Sequence, residues 1–120
     1  MSLVYAELNQ RLLEVMPELE ASYQEELELW APDVPGSHVV YGDLLVPLLE
    51  ERLGMEGQED ALRRAFSLIE ELSMSDDRFV REVVTDTICE YVVDRRALYG
   101  PAKELMGPRT AALCRSVETS

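Results

Sequence analysis

His38 is the only histidine in the chain, so any imidazole chemistry must run through it. Asp43 follows five residues later, and a histidine oriented by a carboxylate is the general-base half of a small hydrolase. That chemistry also needs a nucleophile and a pocket. Ser37 is adjacent, but neighbouring side chains at a helix start do not face each other, and no G-x-S-x-G elbow occurs. The plainer role for His38 is to orient its helix by bonding Asp43 or a backbone carbonyl. A single histidine also excludes a two-histidine metal site and the Glu-x-x-His pairs of a di-iron bundle. The 6 glycines are scattered, and neither Gly54 nor Gly57 leads into Lys-Ser or Lys-Thr, so no phosphate-cradling loop is written here. Asp76-Asp77 lacks the alternating ligands and turn glycine of a calcium loop. The adjacent acids Glu25-Glu26, Glu50-Glu51 and Glu70-Glu71 point to different sides of a helix and are no paired acid and base. The expectation is no catalytic set, no metal and no cofactor.

Charge says more. The chain has 120 residues, with 24 acids against 11 bases and a net charge of −13. The length suits one domain. The charge excludes a nucleic-acid binder working through a broad basic face. The excess lies in the first half, where Arg11 and Arg52 are the only bases and none falls between Leu12 and Glu51. Glu14, Glu18, Glu25 and Glu28 can share a face of the first two helices, with Glu20, Glu26 and Asp33 close by. A solubilising surface accounts for such a face. So does a recognition face for a basic protein, because unpaired like charges repel in the free chain and a cationic partner relieves them. Trp30, at the end of this stretch beside a proline-rich connector, is the natural aromatic anchor.

The elements that must position these residues read as helices. Val4, Leu8, Leu12 and Val15 share a face, and Pro17 ends that helix and opens the next, which runs to Trp30. Pro32, Pro35 and Gly36 make a connector. A third helix runs over 38–53, kinked by Pro47. A fourth runs over 59–72 and a fifth over 76–93, with Ser75 as N-cap and Phe79, Val80, Val83, Val84, Thr87, Ile88 and Tyr91 inward. Gly100-Pro101 breaks the chain, and Gly107-Pro108 separates a short helix from a last one reaching 117. Period-two alternation is absent. The expected class is all-α with six or seven helices, HEAT-like or an irregular bundle. Cys89 and Cys114 make no disulfide framework and are expected to be small packing residues in a reducing compartment. No apolar run approaches a membrane span, and the first ten residues lack a signal-peptide pattern, so the expected location is cytoplasmic.

Two short motifs carry a resemblance. His38-Val-Val-Tyr41-Gly42-Asp43, followed by Pro47-Leu48-Leu49, and Met106-Gly107-Pro108-Arg109-Thr110 resemble the signatures of a small bacterial all-helical, HEAT-like family of unknown function. The opening Pro17-Glu18-Leu19 fits as well, whereas Ala31 to Ser37 has no clear counterpart. The resemblance implies a compact helical domain with no known activity, and some similar small acidic helical proteins act as immunity proteins against toxins. Read on their own, Gly42 lets a neighbouring helix come close, Gly107-Pro108 stops one helix and starts the next, and Thr110 makes a local side-chain bond. The expectation is therefore a non-enzymatic interaction protein, an immunity-like inhibitor of a basic partner, with Glu14, Glu18, Glu25, Glu26, Glu28 and Trp30 in contact. The alternatives are an adaptor holding a peptide in an apolar groove between the third and fifth helices, and a hydrolase using His38 with Asp43.

Overall fold

The computed structural model describes residues 3–119, and no strand occurs among them. Helix α1 is Leu8–Val15, preceded by a 3-10 turn at Tyr5–Glu7. Leu8, Leu12 and Met16 recur every four residues and are fully buried. Pro17 opens a second 3-10 turn, Pro17–Leu19, which leads into α2, Glu20–Trp30. The connector after α2 contains a cis Ala31-Pro32 bond and is tied to α1 through Asn9. The Asn9 amide donates to the Pro35 carbonyl at 3.1 Å and accepts from the Ser37 hydroxyl at 2.8 Å.

Helix α3 spans 37–52 and changes pitch in its middle: Ser37–Val40 is α, Tyr41–Leu45 is one π turn, and Val46–Arg52 is α again. Pro47 has no amide hydrogen for the Asp43 carbonyl, and its ring crowds that carbonyl. The wider turn absorbs the conflict, with the Val46 N–H donating to the Tyr41 carbonyl five residues back. The expected kink is thus a π turn. Helix α4, Glu59–Ser73, buries Leu62, Ala65, Phe66, Ile69 and Leu72 along one side. Helix α5 spans 78–93 and also carries a π turn, Val84–Cys89, between Arg78–Val83 and Glu90–Val93. Its N-cap is Asp77, which accepts the Phe79 N–H at 2.9 Å. The expected cap, Ser75, instead donates its hydroxyl to the Leu3 carbonyl at 2.6 Å. Phe79, expected inward, is exposed beneath the Arg78 guanidinium. The buried stripe is Val80, Val83, Val84, Ile88 and Val92, and Phe79 lies one 100° step off it.

Helix α6, Arg96–Leu105, runs straight through Gly100-Pro101, where a break was expected. A proline drives its predecessor out of the helical region by clashing with that residue's N–H and Cβ, and Gly100, with no Cβ, is spared the second clash. Helix α7 is Pro108–Glu118. The seven helices enclose one buried apolar cluster, and the two π turns meet within it. A Cβ on Gly42 would stand 3.4 Å from Thr87 Cγ2, so the small residue sets how closely α3 approaches α5.

The cysteines correct the sequence reading. Cys89, in the π turn of α5, and Cys114, on α7, are fully buried and joined as a disulfide. Their Cα atoms lie 5.0 Å apart because those two segments pack face to face. Sequence spacing carries no trace of that packing. The pairing also withdraws the cysteine-based ground for a reducing compartment.

The Met106–Thr110 motif is a joint. Glu70 of α4 lays its carboxylate across the start of α7, where Oε2 accepts the Arg109 N–H at 3.0 Å and Oε1 accepts the Thr110 N–H at 2.9 Å. The Thr110 hydroxyl is 2.9 Å from Glu70 Oε1 and 2.9 Å from Ser73 Oγ. The bond made by Thr110 is therefore long-range, not local as expected. A carboxylate here satisfies free amides and meets the positive end of the helix dipole. Any Cβ on Gly107 would overlap the Glu70 carboxyl group.

Gly107→Ala and Glu70→Ala should each destabilise the fold by about 2 kcal/mol, lowering Tm by roughly 5–10 °C. The double variant should lose clearly less than the sum, because both changes break the same joint. Thermal unfolding followed by circular dichroism measures this. Thiol titration of the denatured, unreduced chain should find none, against two after reduction.

Candidate functional site

The residues expected to face a partner have separate fates. Glu18, in the turn before α2, receives a fork from Arg64 of α4, Nη1 to Oε1 and Nη2 to Oε2, both at 2.9 Å. Arg52 stands 4.0 Å from the same carboxylate. The bonds from Arg64 hold the Glu18 carboxyl below its ordinary range. Arg64 also donates to the Val15 carbonyl at 3.0 Å, closing the end of α1. Glu18 is therefore a brace among α1, α2 and α4. Glu14 is half engaged, 3.3 Å from Arg11, whose guanidinium forks mainly onto Glu71 at 2.8 Å.

Glu26 departs furthest from expectation. It is the one buried residue of α2, 9% exposed, and no hydrogen-bond donor among the described residues reaches its Oε2. Facing it is a second carboxyl group, Asp43 of the π turn of α3. Negative charge on both would be repulsive, which favours a proton on Glu26. The hydrogen bond to Asp43, with burial adding to it, pushes the Glu26 carboxyl up to about 7. The sequence did hold the signal. Glu26 is three residues after Tyr23, on the same face of α2 as that half-buried ring.

Five of the six expected contacts are exposed and only Glu26 is buried, but Glu14 and Glu18 are engaged by arginines. Glu25 and Glu28 are exposed and make no ion pair or hydrogen bond among the described residues. Trp30 is 40% exposed at the end of α2, Leu29 beside it is 77% exposed, and Val34 in the connector is 71% exposed. Glu25, Glu28 and the exposed Asp33 lie around this apolar tip. Leu29 and Val34 were missed in the sequence, because exposure of an isolated apolar side chain depends on which face the neighbours leave open.

The residues of the His38–Asp43 motif part company as well. His38 does not meet Asp43. Its Nδ1 lies 3.0 Å from the Tyr5 hydroxyl, and its Nε2 lies 3.9 Å from Asp86 Oδ2 on α5. The reason is geometric, since five residues of helix turn through about 500° and leave His38 and Asp43 on different faces. Tyr41 is fully buried and donates its hydroxyl to the Leu8 carbonyl at 2.8 Å, and its burial pushes the phenol upward. Asp43 also lines a cleft of about 270 Å³ with Glu18, Ser22, Glu51 and Arg52. A groove of about 460 Å³ lies elsewhere than expected, along α4 and the α6–α7 link, against Phe66, Ser67, Met74 and Leu105. No helix among the described residues is long and apolar enough to cross a membrane.

The carboxyl pair fixes the sign of a pH dependence. Glu26 releases its proton near its ordinary value of 4.5 when unfolded and near 7 when folded. Between those values the folded chain holds one more proton, so this contribution is full below the lower value and is lost as pH rises through the upper one. The stability of wild type relative to Glu26→Gln should therefore fall between about pH 5 and 7 and level off above. Urea unfolding across that range measures it, and parallel curves for the two proteins would refute the raised Glu26 carboxyl.

No curated protein and no solved structure matches this chain. The family described as Domain of unknown function (DUF7674) matches residues 9–119. That span takes in both motifs, the paired cysteines and the apolar tip of α2, and the chain belongs to this family.

Proposed function

We propose that the chain is a non-enzymatic interaction domain that binds a basic protein through the C-terminal end of α2 and the connector after it. The observation that carries the reading is the exposed Leu29, Trp30 and Val34, close in sequence to Glu25, Glu28 and Asp33, which pair with no base among the described residues. Isolated exposed apolar residues are ordinary on a protein surface. Three together at the end of a helix, one of them a tryptophan, have the make-up of an interface centre with a charged rim. The rim steers a cationic partner and sharpens specificity, and the apolar tip supplies the area removed from water. The ion-paired Glu18 and the buried Glu26 support the helix from behind and take no direct part.

A partner with a cationic cleft, such as a nuclease toxin, is the chemistry this face suits, and blocking that cleft is an immunity-like role. The hydrolase alternative loses its pairing, since His38 and Asp43 face different neighbours.

Affinity capture from lysate should use wild type, Trp30→Ala, the Glu25→Gln/Glu28→Gln double variant and Glu18→Gln, at low and high salt. The expected result is a stoichiometric basic protein that is lost with Trp30→Ala, weakened in the glutamine double variant and at high salt, and retained by Glu18→Gln. A partner insensitive to salt and to every α2 change, but lost on Met74→Glu, would instead assign binding to the groove along α4.

A further inference from the structure

His38, Glu82 and Asp86 come together where the start of α3 crosses α5, beside the N-terminal turn. One ligand atom from each lies within 4.8 Å of the others. Tyr5 faces the opposite edge of the imidazole. Its hydroxyl sits 3.0 Å from Nδ1 and accepts the His38 backbone N–H at 3.4 Å. Nδ1 is thereby engaged, and Nε2 is the edge left to the two carboxylates. Glu82 and Asp86 are four residues apart on one face of α5. Asp86 Oδ1 accepts the Thr85 hydroxyl at 3.2 Å, leaving Oδ2 toward His38. Among the described residues, Arg78, 3.5 Å from Glu82, is the one cation that competes for this set.

We propose that His38 Nε2, Glu82 and Asp86 bind a single divalent transition-metal ion, with zinc as the best match. Two carboxylates facing the Nε2 edge of an imidazole are satisfied either by a proton on Nε2 or by a cation held among the three groups. A doubly charged ion neutralises both carboxylates and takes the lone pair as its nitrogen ligand. The imidazole disfavours magnesium and calcium, and with both cysteines in a disulfide the site offers no thiolate for a softer ion. Three protein ligands leave the fourth tetrahedral position to water. Donors around tetrahedral zinc lie about 3.3 Å apart, so the carboxylates have to close in only slightly, and both sit on part-exposed side chains free to change rotamer. Tyr5 is the outer partner that orients the ring, a role that metal-bound histidines regularly require. The ion would clamp α3 to α5 at the edge of the two π turns. This site stands apart from the tip of α2 and does not depend on its function.

The single histidine makes the test unambiguous. Zinc chloride is titrated into the intact, disulfide-bonded chain in excess magnesium, with calorimetry for stoichiometry and long-range nitrogen–proton NMR for the imidazole. The expected result is one equivalent bound, with Nε2 shifted and Nδ1 protonated. His38→Gln should abolish binding, Asp86→Asn and Tyr5→Phe should each weaken it about ten-fold or more, and Glu25→Gln/Glu28→Gln should leave it unchanged. Zinc that binds without moving the His38 nitrogens, or with an affinity indifferent to Asp86→Asn, would be diffuse association with an acidic surface and would overturn the site. The NMR reading on wild type requires no variant to fold.

Discussion

The close approach of α3 and α5 organises this molecule. Pro47 cannot complete a regular helix, and the chain answers with a wide turn over Tyr41–Leu45. Opposite it, α5 opens a second wide turn over Val84–Cys89. No proline accounts for the second, but its run of Val83, Val84, Thr85, Thr87 and Ile88 is β-branched and weak in helix propensity. Gly42 meets Thr87 where the turns touch. Around that contact lie the main long-range polar links of the fold's centre: Tyr41 to α1, Asp43 to Glu26 of α2, His38 to Tyr5 and Asp86, and Cys89 to Cys114 of α7. The His38–Asp43 motif is thus one feature with several structural outlets. Each of its polar residues faces a different neighbour because a helix distributes successive side chains around its axis.

Charge is divided by the same packing. Arginines of α1, α3 and α4 reach Glu71 and Glu18, so the acids nearest the core are matched. Unmatched acids include Glu25 and Glu28 on the outer face of α2, a helix that buries a single residue, and that residue is a carboxyl. A helix held so lightly contributes little to the core, and we propose that its apolar tip beside Glu25 and Glu28 is surface kept for another molecule. Net charge alone explains solubility and does not explain Leu29, Trp30 and Val34 in the open.

Helical class and most helix positions were legible in the sequence, because apolar residues three and four apart and proline-glycine punctuation are local signals. Gly42 and Gly107 were rightly read as places of close approach or helix exchange. What escaped was set by partners far away in the chain. Glu18 looked free until Arg64 reached it from α4, and Thr110 looked local until Glu70 and Ser73 met it. The cysteines looked unpaired until α5 met α7. The helix through Gly100-Pro101 was missed for a different reason, since proline was weighed as a breaker without the relief a preceding glycine brings. Of the expected partner face, Glu14, Glu18, Glu25, Glu28 and Trp30 kept their exposure, whereas Glu26 lies buried on the face of α2 that carries Tyr23.

The central claim is that the tip of α2, and not the groove along α4, meets the partner. Site-specific photocrosslinking in cells tests it directly, with the photoreactive residue placed once at Leu29 and once at Ser67, both solvent-facing or lining open space. Crosslinking of a basic protein from position 29 and none from position 67 is the predicted result. Crosslinks from position 67 with none from position 29 would contradict the account and leave the acidic face a solubilising surface.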